Sequence, residues 1–204
     1  MSESEIQDLG KSLTLETFWV LYAHVPCAST NYGISYMKIG EFNTVAEFWN
    51  LFNNIPDITC IHDGVVYING QLVIAYSLFR DGILPEWEDD VNLGGSEWGC
   101  RENLSRDLFV EIWKRYILGA IGECIPHCVG VRAINKSNRV RRLHKIEVWM
   151  DKTETKQIQE CRRSLTVLFE ESPKFAYIPH QEKQNQAIEY NNRKKRRHGH
   201  GASQ

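Results

Sequence analysis

A chain of 204 residues and 23.7 kDa fits one domain with short appendages and is long enough to bury a true core. With 42% hydrophobic and 25% charged residues, its body is excluded from the mostly disordered classes. The net charge of −2 hides an uneven distribution. Of 24 basic residues, six lie in Arg132–Lys145 and five in Arg193–Arg197, which leaves 13 against all 26 acids. That pattern predicts an anionic partner held at one place rather than a surface coated in positive charge.

The opening MSESEIQDLGKS is polar and acidic, unlike a secretory signal or a mitochondrial presequence. No apolar run approaches the ~20 residues that span a bilayer. Residues 1–12 are expected to be flexible, 13–180 to form the domain, and 181–204 to be a polar, basic, disordered tail. Strands are expected at Phe18–Tyr22, Ile34–Phe42, Ala75–Phe79, Cys128–Ile134, Lys145–Met150 and Lys174–Ile178, several of them alternating. Asn69-Gly70 between two apolar stretches predicts a type I′ hairpin. Thr44-Val-Ala-Glu47 is a capping box that opens a helix carrying Val45, Phe48, Trp49 and Phe52. A second helix, Arg106–Ile121, places Phe109, Ile112, Trp113, Tyr116, Ile117 and Ala120 on one stripe. A third covers roughly Glu154–Phe169. Irregularly interspersed strands and three amphipathic helices point to an α+β fold, an antiparallel sheet with helices on one face.

Six scattered cysteines read as free cytosolic thiols. Cys124, His127 and Cys128 form C-x-x-H-C, but no second Cys/His pair at a suitable spacing completes four zinc ligands, so no metal is expected. Phosphate-loop, nucleophile-elbow and zinc-protease signatures are missing, so neither an enzyme nor a cofactor is expected. Trp87 is unusual among the six tryptophans. It sits in the loop Asp81-Gly-Ile-Leu-Pro-Glu-Trp-Glu-Asp-Asp90, where no core periodicity calls for an indole, and Glu88 follows directly. An exposed aromatic beside an acid can stack on a cationic ring while the acid accepts its N–H donors.

The stretch Tyr76-Ser-Leu-Phe-Arg-Asp-Gly-Ile-Leu-Pro-Glu-Trp-Glu-Asp resembles the cap-binding loop of the translation initiation factor 4E family. Phe42-Asn-Thr-Val-Ala-Glu-Phe-Trp49 resembles that family's first helix box, and Trp113 to Glu123 its second helix. Val131-Arg132 and Lys145-Ile-Glu-Val-Trp149 resemble its phosphate-contacting strands. The resemblance keeps the family's order from about Phe18 to Tyr177. It implies a cup, a curved antiparallel sheet with three helices on its convex face, holding the 7-methylguanosine cap of messenger RNA inside.

On that resemblance, Tyr32 and Trp87 are the stacking plates, with Tyr36 a competitor for the first. Glu88 takes the guanine edge, Trp149 the methyl group, and Arg132 and Lys145 the phosphates. Two insertions depart from the family pattern, about 57–73 and 135–143. The second adds Arg139, Arg141 and Arg142 as further candidates for the phosphates or the first transcribed nucleotides. Val45, Trp49, Leu118 and Gly122 match the convex partner site for a 4G-type scaffold or a regulatory 4E-binding protein. Lys114 and Arg115 stand where the family carries Leu-Glu, which favours a partner peptide with an acidic or neutral residue there. The implied function is cap binding in translation initiation, in the cytoplasm, with a translational repressor and a general single-stranded RNA module as alternatives. The Arg193–Arg197 run stays open between RNA contact, nuclear address and solvated tail.

Overall fold

The computed structural model describes residues 13–27, 34–151, 154–168, 175–182, 185 and 189. Tyr32, residues 1–12 and the Arg193–Arg197 run lie outside the described residues. Nine strands and five helices occur among the described elements. In chain order they are β1 (Thr14–Pro26), β2 (Ile34–Thr44), α1 (Val45–Asn53), α2 (Ile58–Asp63), β3 (Tyr67–Ile68), β4 (Gln71–Leu72) and β5 (Ala75–Arg80). Then follow α3 (Asp90–Leu93), β6 (Ser96–Glu102), α4 (Arg106–Ile121), β7 (Cys128–Asn135), β8 (His144–Met150), α5 (Thr155–Leu168) and β9 (Ala176–Pro179). Seven strands make one curved antiparallel sheet in the order β2-β1-β5-β7-β8-β6-β9.

Strand alternation sorts the side chains onto two faces. Leu21 and Ala23 of β1, Tyr76 and Leu78 of β5, Val131 and Ala133 of β7, and Ile146 and Val148 of β8 join the main core. That core lies beneath the long helices α1, α4 and α5. In α4 all six residues of the expected stripe are buried, and Ser105 caps the helix by accepting from the Leu108 amide. The capping box of α1 forms as expected. Thr44 Oγ1 accepts from the Glu47 amide at 3.1 Å, and Glu47 returns a carboxylate oxygen to the Thr44 amide at 3.2 Å.

The hairpin at Asn69-Gly70 has φ of 51° and 75°, the two left-handed residues that a type I′ turn requires. Its strands are only two residues each, shorter than expected. Three elements are invisible to periodicity. α2 has six residues and α3 four, too short to show a helical stripe, and each starts at an aspartate cap, Asp57 or Asp89. β6 directly follows the Gly94-Gly95 turn and is buried on both faces between β8 and β9, so it does not alternate.

The two insertions meet in space. Asn135 Nδ2 donates to the carbonyls of Ile61 and His62 at 2.9 and 3.0 Å, satisfying the open C-terminal end of α2. The His62 ring stacks on that of His144 with centroids 4.1 Å apart. Segments some 70 residues apart in sequence therefore form one buttress at one end of the sheet.

Candidate functional site

The face opposite the helices carries a second, smaller apolar group: Val20, Tyr22, Phe79, Val129 and Trp149, with Tyr36, Ile83 and Trp87 packed against it. Gly130 lets this floor close, since a Cβ there would lie 2.5 Å from the Phe79 ring. Trp149 is 1% exposed. Phe79 meets it edge-on at 5.3 Å, His180 packs at 4.4 Å and the Arg132 guanidinium lies over its ring at 4.8 Å.

Trp87 reaches this floor from the loop between β5 and α3. Gly82, at φ 81°, turns the chain back over the sheet. Asp89 then accepts from the amides of Leu84 and Val91 at 2.9 and 3.0 Å. Asn92, fully buried, donates through Nδ2 to the carbonyls of Leu84 and Glu86, each at 2.8 Å. His180 Nδ1 donates to the Asn92 carbonyl at 2.8 Å, which ties the loop to the segment after β9. The Tyr36 hydroxyl bonds the Glu86 carboxylate, and partial burial followed by that acceptor raises the phenol pKa. So held, the Trp87 indole lies 13° from the plane of Trp149 with centroids 6.5 Å apart, and Glu88 beside it is exposed.

Trp87 and Trp149 thus meet on the face opposite the helices, with Glu88 next in the chain. Tyr36 is also there, on β2, whereas Tyr32 is outside the described residues.

Arg132 and Lys145 stand on adjacent strands of the same floor, but not as free cations. Arg132 Nε donates to Glu147 Oε1 at 2.5 Å, and its Nη2 pairs with the same oxygen. Lys145 Nζ donates to Glu97 Oε1 at 2.5 Å and also pairs with Glu147. The Trp149 indole N–H completes the Glu147 set at 2.9 Å. Both carboxylate side chains are fully buried, and the two cationic ones are only 12% and 8% exposed. Burial alone would push the Glu147 carboxyl up. Arg132 and Lys145, with hydrogen bonds from Lys145 and Trp149, outweigh it and hold the group well below the carboxylate range. Two cations and two anions cancel. Nothing in sequence reasoning paired Glu97 with Lys145, because β6 was hidden. Glu147 was within reach, since Lys145, Glu147 and Trp149 alternate onto one face of β8.

Further along the floor, His24 bonds Ser77 at 2.6 Å. Burial first, then the nearby Arg132, pushes this imidazole down to about 3 against the pull of Glu147, so it is neutral at pH 7. His127 of the C-x-x-H-C stretch faces Asp151 and Glu160 at 3.5 and 3.7 Å. Among the described residues no group of three or more His, Cys, Asp or Glu side chains is placed to hold a metal ion.

On the convex side, α1 and α4 leave a groove of about 260 Å³ lined by Phe48, Trp49, Phe52, Ile55, Ile117 and Leu118, with Asp57 and Lys114 at its edge. Trp49 is 43% and Leu118 42% exposed. Val45 is half-buried, and Gly122 is exposed as the C-cap of α4. Arg115 does not point a free charge at an incoming peptide. It pairs with Glu111 at 2.5 Å and donates to the Leu168 carbonyl at 2.6 Å.

A family model described as eukaryotic initiation factor 4E matches residues 14–195. The eukaryotic translation initiation factor 4E of Candida albicans is 31% identical over 116 residues, 54% of this chain and 51% of the relative. That of Dictyostelium discoideum is 26% identical over 152 residues, 72% of this chain and 55% of the relative. The chain spans about half the length of the curated relatives it matches. Two similar solved folds are Ascaris suum eIF4E-3 in complex with the m2,2,7G cap and C. elegans eIF4E-3 with the 4E-binding protein Mextli and a cap analog. Both give a TM-score of 0.65, at 22% and 20% identity, covering 82% and 85% of this chain and 91% and 95% of the other.

Proposed function

The chain belongs to the eukaryotic initiation factor 4E family, and from that premise we propose that it binds the 7-methylguanosine cap of messenger RNA and delivers it to a partner protein for translation initiation. The observation that carries this reading is the clamped Trp87, set over a tryptophan floor with an exposed carboxylate next to it. Methylation at N7 makes the guanine ring cationic, which strengthens its attraction to an indole face. Glu88 is placed to accept from the N–H edge of that ring, and its charge favours the cation over ordinary guanine. Trp149, buried beneath, is the apolar backing of that stack and would meet the methyl group only where the cap displaces a neighbour from its ring. Tyr36, bonded to the residue before Trp87, supplies a second aromatic face among the described residues. No step of this breaks or makes a covalent bond.

The convex groove, with its exposed Trp49 and Leu118, suits an amphipathic helix from a 4G-type scaffold or a 4E-binding protein. The cytosol is the proposed place of work, where capped messages meet such partners.

The test is a fluorescence titration of the protein and of its Trp87→Ala and Glu88→Ala variants with 7-methylguanosine triphosphate and guanosine triphosphate. A base–aromatic stack is worth roughly 1–3 kcal/mol, so Trp87→Ala is expected to weaken cap binding about 5- to 150-fold. Glu88→Ala is expected to erode the preference for the methylated base. If both variants discriminate as the parent does, the site is elsewhere.

A further inference from the structure

A phosphate chain that left the Trp87–Trp149 end of the floor along β7 and β8 would first pass the self-neutralised quartet of Arg132, Lys145, Glu97 and Glu147. The first cations it meets outside that quartet are Arg101 and Lys136. Arg101 is the β6 residue paired with Lys145, and Lys136 lies two residues past Ile134, the β7 residue paired with Lys145. Alternation puts both on the concave side, and both are exposed. From Trp149 to Lys145 is four strand residues, about 13 Å, and the turn beyond β7 begins within about 20 Å.

That turn is a built element. The Lys136 amide donates to the Leu143 carbonyl at 2.8 Å, and the Asn138 amide to the Arg141 carbonyl at 2.9 Å. Asn138 Oδ1 accepts from the amides of Val140 and Arg141, each at 2.9 Å, and Ser137 Oγ accepts from the Leu143 amide at 3.0 Å. Asn135, which opens the turn, is itself anchored on α2. Arg139 and Arg141 are exposed on this closed frame, and no ion pair involves them, Arg101 or Lys136 among the described residues. Desolvation by the surrounding side chains, then crowding by Arg132, Lys145 and Arg101, pushes the Lys136 ammonium down to about 8 against the pull of Glu147, although the residue as a whole is open to solvent. An incoming anion relieves that crowding.

We infer that this basic end, formed by Arg101, Lys136, Arg139 and Arg141, takes the phosphate backbone of the nucleotides just after the cap, and carries the phosphate recognition that the buried Arg132–Lys145 pair has given up to Glu147 and Glu97. The inference rests on the capped-RNA reading. A framed turn loses little freedom on binding, so its charges act as a preorganised surface.

The experiment measures binding of 7-methylguanosine triphosphate, a capped five-nucleotide RNA and the same RNA uncapped across a salt series. The expected result is tighter binding of the capped RNA than of the bare cap, with a log–log salt slope steeper by about 0.7 per added phosphate contact. Arg139→Ala/Arg141→Ala and Arg101→Ala/Lys136→Ala should each lower the slope for capped RNA by more than that for the bare cap. A capped RNA that matches the bare cap in affinity and slope, or variants that leave the slopes alone, overturns the inference. Failure of the cap reading looks different, since 7-methylguanosine triphosphate would then bind no better than guanosine triphosphate.

Discussion

Glu147→Gln removes the central anion of the floor while keeping its shape. In the parent, Glu147 takes hydrogen bonds or ion pairs from Arg132, Lys145 and Trp149 and is fully buried. The amide keeps one acceptor and loses the charge. Lys145 retains Glu97, but Arg132 is left with the Trp149 face and a 12% opening to solvent. Removing one member of a buried pair costs about 3–5 kcal/mol, because the remaining charge is stranded. For a chain of this size each kcal/mol lowers Tm by roughly 2–4 °C, so the expected drop is roughly 6–20 °C. Urea unfolding followed by tryptophan fluorescence gives the free energy directly. The same change frees Arg132, so the ratio of affinities for cap triphosphate over cap monophosphate should rise by roughly tenfold, the low end of a charge-assisted hydrogen bond. A variant within about 2 °C of the parent and with an unchanged ratio refutes the claim that this quartet is self-neutralised.

Asn92→Ala removes both donors that close the Trp87 loop, and cap affinity should fall several-fold while the rest of the domain stays folded; equal affinity by titration contradicts the positioning role. Gly130→Ala drives a methyl into the Phe79 ring and should cost about 1–3 kcal/mol in urea unfolding, unlike Gly94→Ala, where nothing lies within 4 Å of the new Cβ. His24 and His180 are held neutral mainly by burial, with pKa values lowered to about 3 and about 4. Between those values and 6.5 the unfolded chain binds protons that the folded one does not, so stability should fall as pH drops through that window, read as Tm from pH 7 to 4. Trp49→Ala should abolish capture of an amphipathic 4G-type peptide without weakening cap binding, and persistence of capture moves the partner site elsewhere.

What was legible in the sequence followed strong local patterns. The capping box at Thr44–Glu47, the α4 stripe and the Asn69-Gly70 turn are each specified by residues within a turn or two of one another. Trp87 stood out because no core periodicity calls for an indole in a Gly- and Pro-containing loop, while its role and that of Glu88 came from the family resemblance. The charge network was not, because Glu97 and Lys145 are 48 residues apart and meet only through sheet order. The union of the two insertions was hidden for the same reason: Asn135 finds the end of α2 only after β5 and β7 pair. No local pattern marks Asn92 either, and only its burial in the folded chain makes it the loop's clamp.

The most direct measurement is a calorimetric titration of the full chain with 7-methylguanosine triphosphate beside guanosine triphosphate at the same salt. Trp87, Glu88 and Trp149 as placed predict a clear preference for the methylated nucleotide. Equal affinity for the two contradicts the account at its centre.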